Sequence, residues 1–313
     1  MANIFERHKF LTIVCFTLPA ILIIGILAEV CMEKFMGLGN PILYDSSPFY
    51  GFRPLPGRTY TRFHGKEIKF NNLGLRADED WHGNIDNKIL FLGDSVTYGG
   101  SHFSNQELFS SLAVKDFPGW QSGNAGVNAW GVENIYGLVV ETNFTPAKVY
   151  VTTLPERDFE RGFTEIKGLP FFNISPQYAF KELWLYFCCA QNDKRYTGWQ
   201  VYATPAERNY VIEKAVGKLK KMDAFLRNKG FQHFVFITPS KNQVLGIAGK
   251  DALIAHLLTE YKLKPIYISD KLRSKLNTEN IFLDDIHLAK KGHEVWGAVI
   301  KEEIRETLPI KDN

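Results

Sequence analysis

Residues 88–99 read KILFLGDSVTYG. An apolar run from Ile89 to Leu92 breaks at Gly93-Asp94-Ser95 and gives way to a stretch compatible with a helix. A run that is apolar at every position belongs to a strand buried on both faces, as in a parallel sheet covered by helices. Working outward, similar runs recur at 147–154 (AKVYVTTL), 231–239 (FQHFVFITP) and 265–270 (PIYISD). Helical patterns lie between them. Ser104 and Glu107 form a capping box opening SNQELFSSLA, the stretch from Pro205 to Gly230 ends on a glycine C-cap, and further helices fit 249–261 and 289–307. The pattern predicts an α/β fold, a doubly wound, flavodoxin-like parallel sheet sandwiched by helices.

Ser95 stands where the first strand's carboxyl end enters a helix, the crevice in which such sheets bind ligands, and the helix N-terminus there favours a developing negative charge. Capping that helix is the alternative role. A serine hydroxyl becomes a nucleophile only when a base takes its proton and an acid orients the base. The segment IFLDDIHL (281–288), just before the last helix, supplies both: Asp284 and His287, three residues apart at a turn, can set the carboxylate against one ring nitrogen while the other faces the serine. The other histidines read as surface or core residues. His293, six residues beyond His287, brings no third ligand, and Cys15, Cys31, Cys188 and Cys189 have no zinc-site spacing, so no metal or cofactor is expected.

With both blocks in view, GDSVTYG (93–99) and Asp284-x-x-His287 resemble the SGNH (GDSL-type) hydrolase family, over roughly the span from Lys88 to Thr307. The resemblance implies a Ser95, His287, Asp284 triad and an oxyanion hole built from the backbone N–H groups of Ser95 and Gly126, the latter in NAGVN (124–128). The family's third block, GxND, is altered here to Pro155-Glu156-Arg157-Asp158: Asp158 matches, while Arg157 stands where an asparagine donates to the oxyanion. Arg157 or Asn128 is the candidate third donor. NNLGLR (71–76) resembles a segment of membrane-anchored bacterial members and reads as structural, with Gly74 for a turn and Arg76 as a tie.

The chain has 313 residues, 45% hydrophobic and 23% charged, with 37 Lys and Arg against 34 Asp and Glu. A balance of +3 without a basic stripe excludes a nucleic-acid footprint, and the composition excludes disorder as a whole-chain description. The averages conceal FLTIVCFTLPAILIIGILA (10–28), 19 uncharged residues that as a helix span about 28 Å of hydrocarbon. Arg7 and Lys9 precede it and Glu29 and Glu33 follow, so the positive-inside bias puts the N-terminus in the cytoplasm and the remainder outside. An uncleaved anchor is the expectation. A cleaved signal peptide and a core helix are the alternatives.

The expected organisation is a cytoplasmic tip and membrane anchor (1–34), a stalk or small β region (35–85) and a catalytic domain (86–313), with an aromatic-rich insertion at 156–205 that reads as a substrate platform, a lid or a hydrophobic cluster. The expected function is a serine ester hydrolase or O-acyltransferase acting on an ester-bearing small molecule or glycan, and the family resemblance implies a place in the bacterial envelope and acetyl esters of a polysaccharide as substrate. A lipase or thioesterase on membrane lipids, and an inactive binding or assembly protein, are the alternatives.

Overall fold

A computed structural model describes residues 8–63, 65–166, 171–189, 202–272 and 280–308. Its centre is a five-stranded sheet made of β5 (Lys88–Gly93), β6 (Gln121–Asn124), β7 (Val149–Pro155), β8 (Gln232–Thr238) and β9 (Ile266–Tyr267), in the order β6-β5-β7-β8-β9 with all neighbours parallel. Counted within the sheet this is the 2-1-3-4-5 order of doubly wound flavodoxin-like folds, with the direction of winding reversing between β5 and β7. Every residue of β5 and β7 is buried. Alternate side chains serve two cores: Leu90, Leu92, Tyr150 and Leu154 pack with Ile212, Leu219 and Leu226 of helix Arg208–Asn228 on one face. On the other, Ile89, Phe91 and Val151 meet Phe109, Trp296 and Ile300, the last two from helix Lys290–Thr307.

Two elements depart from the sequence reading, both at sheet edges. β6 has the sequence QSGN, with no apolar run to announce it; an edge strand needs less buried surface, and Gly123 is required because a Cβ there would meet the Trp81 ring at 2.7 Å. The apolar run at 265–270 forms only a two-residue strand before helix Ile268–Leu272 takes over.

The region expected as a small β stalk contains two antiparallel hairpins, β1 (Tyr44–Ser47) with β2 (Gly51–Pro54) and β3 (Arg58–Arg62) with β4 (Lys66–Phe70). It does not stand off the domain. Phe52, Tyr60, Ile68, Phe70, Leu75 and Trp81 are buried in the same cluster as Leu90 and Tyr150, so the hairpins cap one face of the sheet. Arg76 ties them to the segment after Ser95, its guanidinium donating to the carbonyls of Tyr98 and Gly100, each at 2.7 Å, to Phe103 O and to Asn105 Oδ1 at 3.0 Å.

Helix Lys9–Cys31 runs on into a π-helical turn, Met32–Met36. It is long and apolar enough to cross a membrane and buries none of its apolar window against the rest of the chain, which sets aside the core-helix reading. Arg7 lies outside the described residues.

Candidate active site

β5 ends at Gly93, where a Cβ would collide with Thr97 Oγ1 and the Thr153 carbonyl, and the chain turns into the four-residue helix Ser95–Tyr98. Asp94 caps it, its Oδ1 accepting from Val96 N–H at 2.9 Å. The capping role that Ser95 could have filled thus falls to its neighbour, and the Ser95 hydroxyl is left facing outward beside the point where the winding reverses.

The loop that carries Asp284 and His287 is closed on itself. Leu283 N–H donates to the His287 carbonyl at 2.8 Å and Ala289 N–H to the Ile281 carbonyl at 2.8 Å, while Lys241 N–H holds the Asp285 carbonyl at 2.7 Å. Within it, Asp284 Oδ1 accepts from the backbone N–H groups of Ile286 and His287 at 2.9 and 2.8 Å, which aims the other oxygen, Oδ2, at His287 Nδ1, 2.6 Å away. His287 Nε2 is 2.8 Å from Ser95 Oγ. A carboxylate only accepts, so Nδ1 carries the proton and Nε2 is free to accept from the serine. Partial burial pushes the Asp284 carboxyl up, but the backbone and ring N–H groups of His287 and the N–H of Ile286 outweigh it and hold the group below the usual carboxylate range. His287 is 39% and Asp284 57% exposed, so water reaches the base. Ser95 Oγ also lies 3.3 Å from Asp94 Oδ2, a longer and weaker alternative for its proton.

These residues border a cleft of about 430 Å³ whose other walls include His102, Asn128, Ala129, Arg157, Phe171 and Ile286. Gly126 is not among its lining residues. Its N–H donates to Asn124 Oδ1 at 2.8 Å, and a Cβ there would collide with the backbone of Tyr98 and Thr97. The expected oxyanion role of Gly126 is therefore corrected: this glycine lets the loop pack against the serine helix. Three residues later the loop does reach the cleft. Ala129 has a left-handed backbone (φ 67°), and the N–H groups of Ser95, Asn128 and Ala129 take no protein partner among the described residues. The strained conformation is held from behind, Thr164 Oγ1 donating to the Ala129 carbonyl at 2.8 Å and Arg161 Nη1 to the Trp130 carbonyl at 2.6 Å. Sequence reasoning missed Ala129 because alanine does not announce a positive φ.

Arg157 and Asn128, the two candidate third donors, both line the cleft. The Arg157 guanidinium lies over the Tyr202 ring, 5.2 Å from its centroid, with Nε donating to Tyr202 Oη at 3.0 Å. Asp158 sits below, fully buried beside Asp94 and 3.2 Å from Arg161 Nη1. Burial and the Asp94 carboxylate push the Asp158 carboxyl well above the usual carboxylate range, against the opposing pull of Arg161 and Arg157. Of the aromatic insertion, Phe159, Phe171 and Phe172 are buried, Tyr178, Phe180, Trp184 and Phe187 are exposed, and Tyr196 and Trp199 lie outside the described residues.

No protein-family model and no curated protein matches the chain. Among solved structures it is similar to a member of the lipolytic protein G-D-S-L family from Veillonella parvula, at 12% identity over 71% of this chain and 99% of that one, with a TM-score of 0.41. It is similar also to the lipase/acylhydrolase from Enterococcus faecalis (15% identity, 72% and 99% covered, TM-score 0.43) and to a catalytic mutant of an acetylxylan esterase from Geobacillus stearothermophilus (12% identity, 70% and 93% covered, TM-score 0.38).

Proposed function

We propose that the protein is a serine ester hydrolase of the SGNH type, held to a membrane by its N-terminal helix with the catalytic domain on the extracytoplasmic side. The observation that carries this reading is the unbroken chain of hydrogen bonds from Ser95 through His287 to Asp284, at 2.8 and 2.6 Å, at the reversal point of the sheet. His287 Nε2 takes the Ser95 proton as Oγ attacks the ester carbonyl, and Asp284 stabilises the imidazolium that forms. The N–H groups of Ser95 and Ala129 face the developing oxyanion, with Asn128 or Arg157 as third donor; each such donor contributes about 3–4 kcal/mol in the transition state. His287 then protonates the leaving alcohol and, as base again, activates the water or sugar hydroxyl that releases the acyl group.

The substrate class follows from the family resemblance: acetyl esters of an envelope glycan. The modest size of the cleft suits a short acyl group. The test uses the purified chain with a fluorophosphonate and with p-nitrophenyl esters of increasing length. Labelling at Ser95, its loss in Ser95→Ala without a change in melting temperature, and a preference for acetyl over long acyl chains are expected. A folded protein that takes no label would sink the enzyme reading, and a preference for long chains would move it to lipids.

A further inference from the structure

We propose that the face carrying Tyr178, Phe180, Trp184 and Phe187 is seated in the lipid bilayer and holds the catalytic domain down on the membrane. This inference rests on the membrane-spanning reading of the N-terminal helix. Its partner is the headgroup and acyl boundary of a phospholipid surface.

Helix Ala179–Trp184 and the turn Leu185–Cys189 bury Ala179 and Glu182 toward the domain. Phe180, Trp184 and Phe187, at helical spacings of four and three, form a stripe on the opposite side with exposures of 47, 65 and 61%. Tyr178 and Ile174 lead into it at 62 and 76%. Large apolar side chains gathered on one outward face mark an interaction surface, where scattered ones would mark nothing.

What covers this face is indicated by the element beside it. Tyr178, Phe180 and Lys181 share an open groove of about 540 Å³ with Leu22, Gly25, Ile26, Glu29 and Val30 of the membrane-length helix. Leu22 and Glu29 are separated by about 10 Å of helix rise, so Tyr178 and Phe180 lie alongside the final two turns of the membrane-length helix, and Trp184 and Phe187 continue the same exposed stripe. If those turns lie in lipid, so does the groove. Aromatic rings with a lysine are the composition favoured at the boundary between acyl chains and headgroups.

The height of the face is fixed by two carboxylates, half-buried Glu29 and buried Glu182. Glu29, near the end of the membrane-length helix, accepts from the N–H groups of Ala179 and Phe180 at 2.5 and 2.9 Å, so its charge is capped where it would otherwise face lipid. Glu182 accepts from Gly39 N–H at 2.6 Å and pairs with Arg62 at 2.9 Å. Gly37, Leu38 and Gly39, which join span to domain, are buried, so no free linker lets the domain swing away.

The experiment reconstitutes the full chain in phosphatidylcholine nanodiscs, with or without bromine near the headgroup end of the acyl chains. The Trp184 signal is the emission that Trp184→Phe removes. Expected is that this component is lost in brominated discs and protected from aqueous iodide. An Ile21→Trp substitution in the Trp184→Phe background reports on the middle of the span, using lipid brominated deep in the chain. If Ile21→Trp is quenched while the Trp184 component is quenched by iodide alone, the seated face is overturned and the span stands. If neither is quenched by lipid, the spanning reading fails and the proposal with it.

Discussion

Ala129 and Gly126 exchange the roles their residue types suggest. A glycine beside a catalytic serine invites an oxyanion assignment, but the Gly126 N–H is taken by Asn124, and the left-handed turn that opens toward the cleft is made by an alanine. Ala129→Gly should keep stability within about 1 kcal/mol of the parent, since relieved left-handed strain offsets the freedom glycine adds to the unfolded chain. Its esterase turnover should be nearly unchanged. Gly126→Ala, by contrast, should lose about 1–3 kcal/mol through overpacking against the serine helix. Urea unfolding and ester kinetics on the two variants decide the matter: a Gly126→Ala protein as stable as the parent, yet deficient in kcat, would return the oxyanion role to position 126. Ser95, His287 and Asp284, which the structure brings within hydrogen-bonding distance, were legible as a candidate nucleophile, base and orienting acid because each is a residue type the chemistry demands in a recognisable context. The donor was not, because every residue but proline offers the same N–H and only φ and ψ determine where it points.

At the scale of elements, the ends of β5 and β7 bring two carboxyl groups together under the site. Asp158, its carboxyl pushed up by burial and by Asp94, has an uncommon pH signature. The unfolded chain releases this proton near the ordinary carboxylate value while the folded chain retains it, so raising the pH favours the unfolded state until the raised native value is passed. The stability associated with this group is therefore full at acid pH and lost as pH rises. Asp158→Asn mimics the protonated acid and removes that slope: as pH rises above about 4 it should lose less stability than the parent, measured by thermal or urea unfolding. Parallel curves for the two proteins, or a strongly destabilised Asn variant at neutral pH, would refute a protonated Asp158. The buried strands around this cluster were readable from their continuous apolar runs. β6 was invisible because a short edge strand of sequence QSGN carries no periodic signal.

For the whole molecule, the N-terminal helix, the hairpins and the parallel sheet form one connected body. The proposed topology, with the catalytic domain outside, rests on Arg7 and Lys9 before the helix against Lys34 alone just after it. A periplasm-dependent phosphatase fused after Asn313 should be active and a cytoplasm-dependent reporter at the same point inactive; the reverse pattern would overturn the orientation. What the sequence determined by itself is what local patterning encodes: burial of strands through unbroken apolar runs, a membrane-length segment through its length and lack of charge, and a candidate triad through the residue types nucleophilic catalysis requires. What only the tertiary structure decided depends on neighbours distant in the chain. It packed the expected stalk into the core, moved the open N–H from Gly126 to Ala129, and divided the aromatic insertion into buried rings, of which Phe171 borders the cleft, and exposed rings, of which Tyr178 and Phe180 lie beside the membrane-length helix. The physical reason is that a side chain's burial and a backbone group's free valence are set by what packs against them, and those partners lie many residues away.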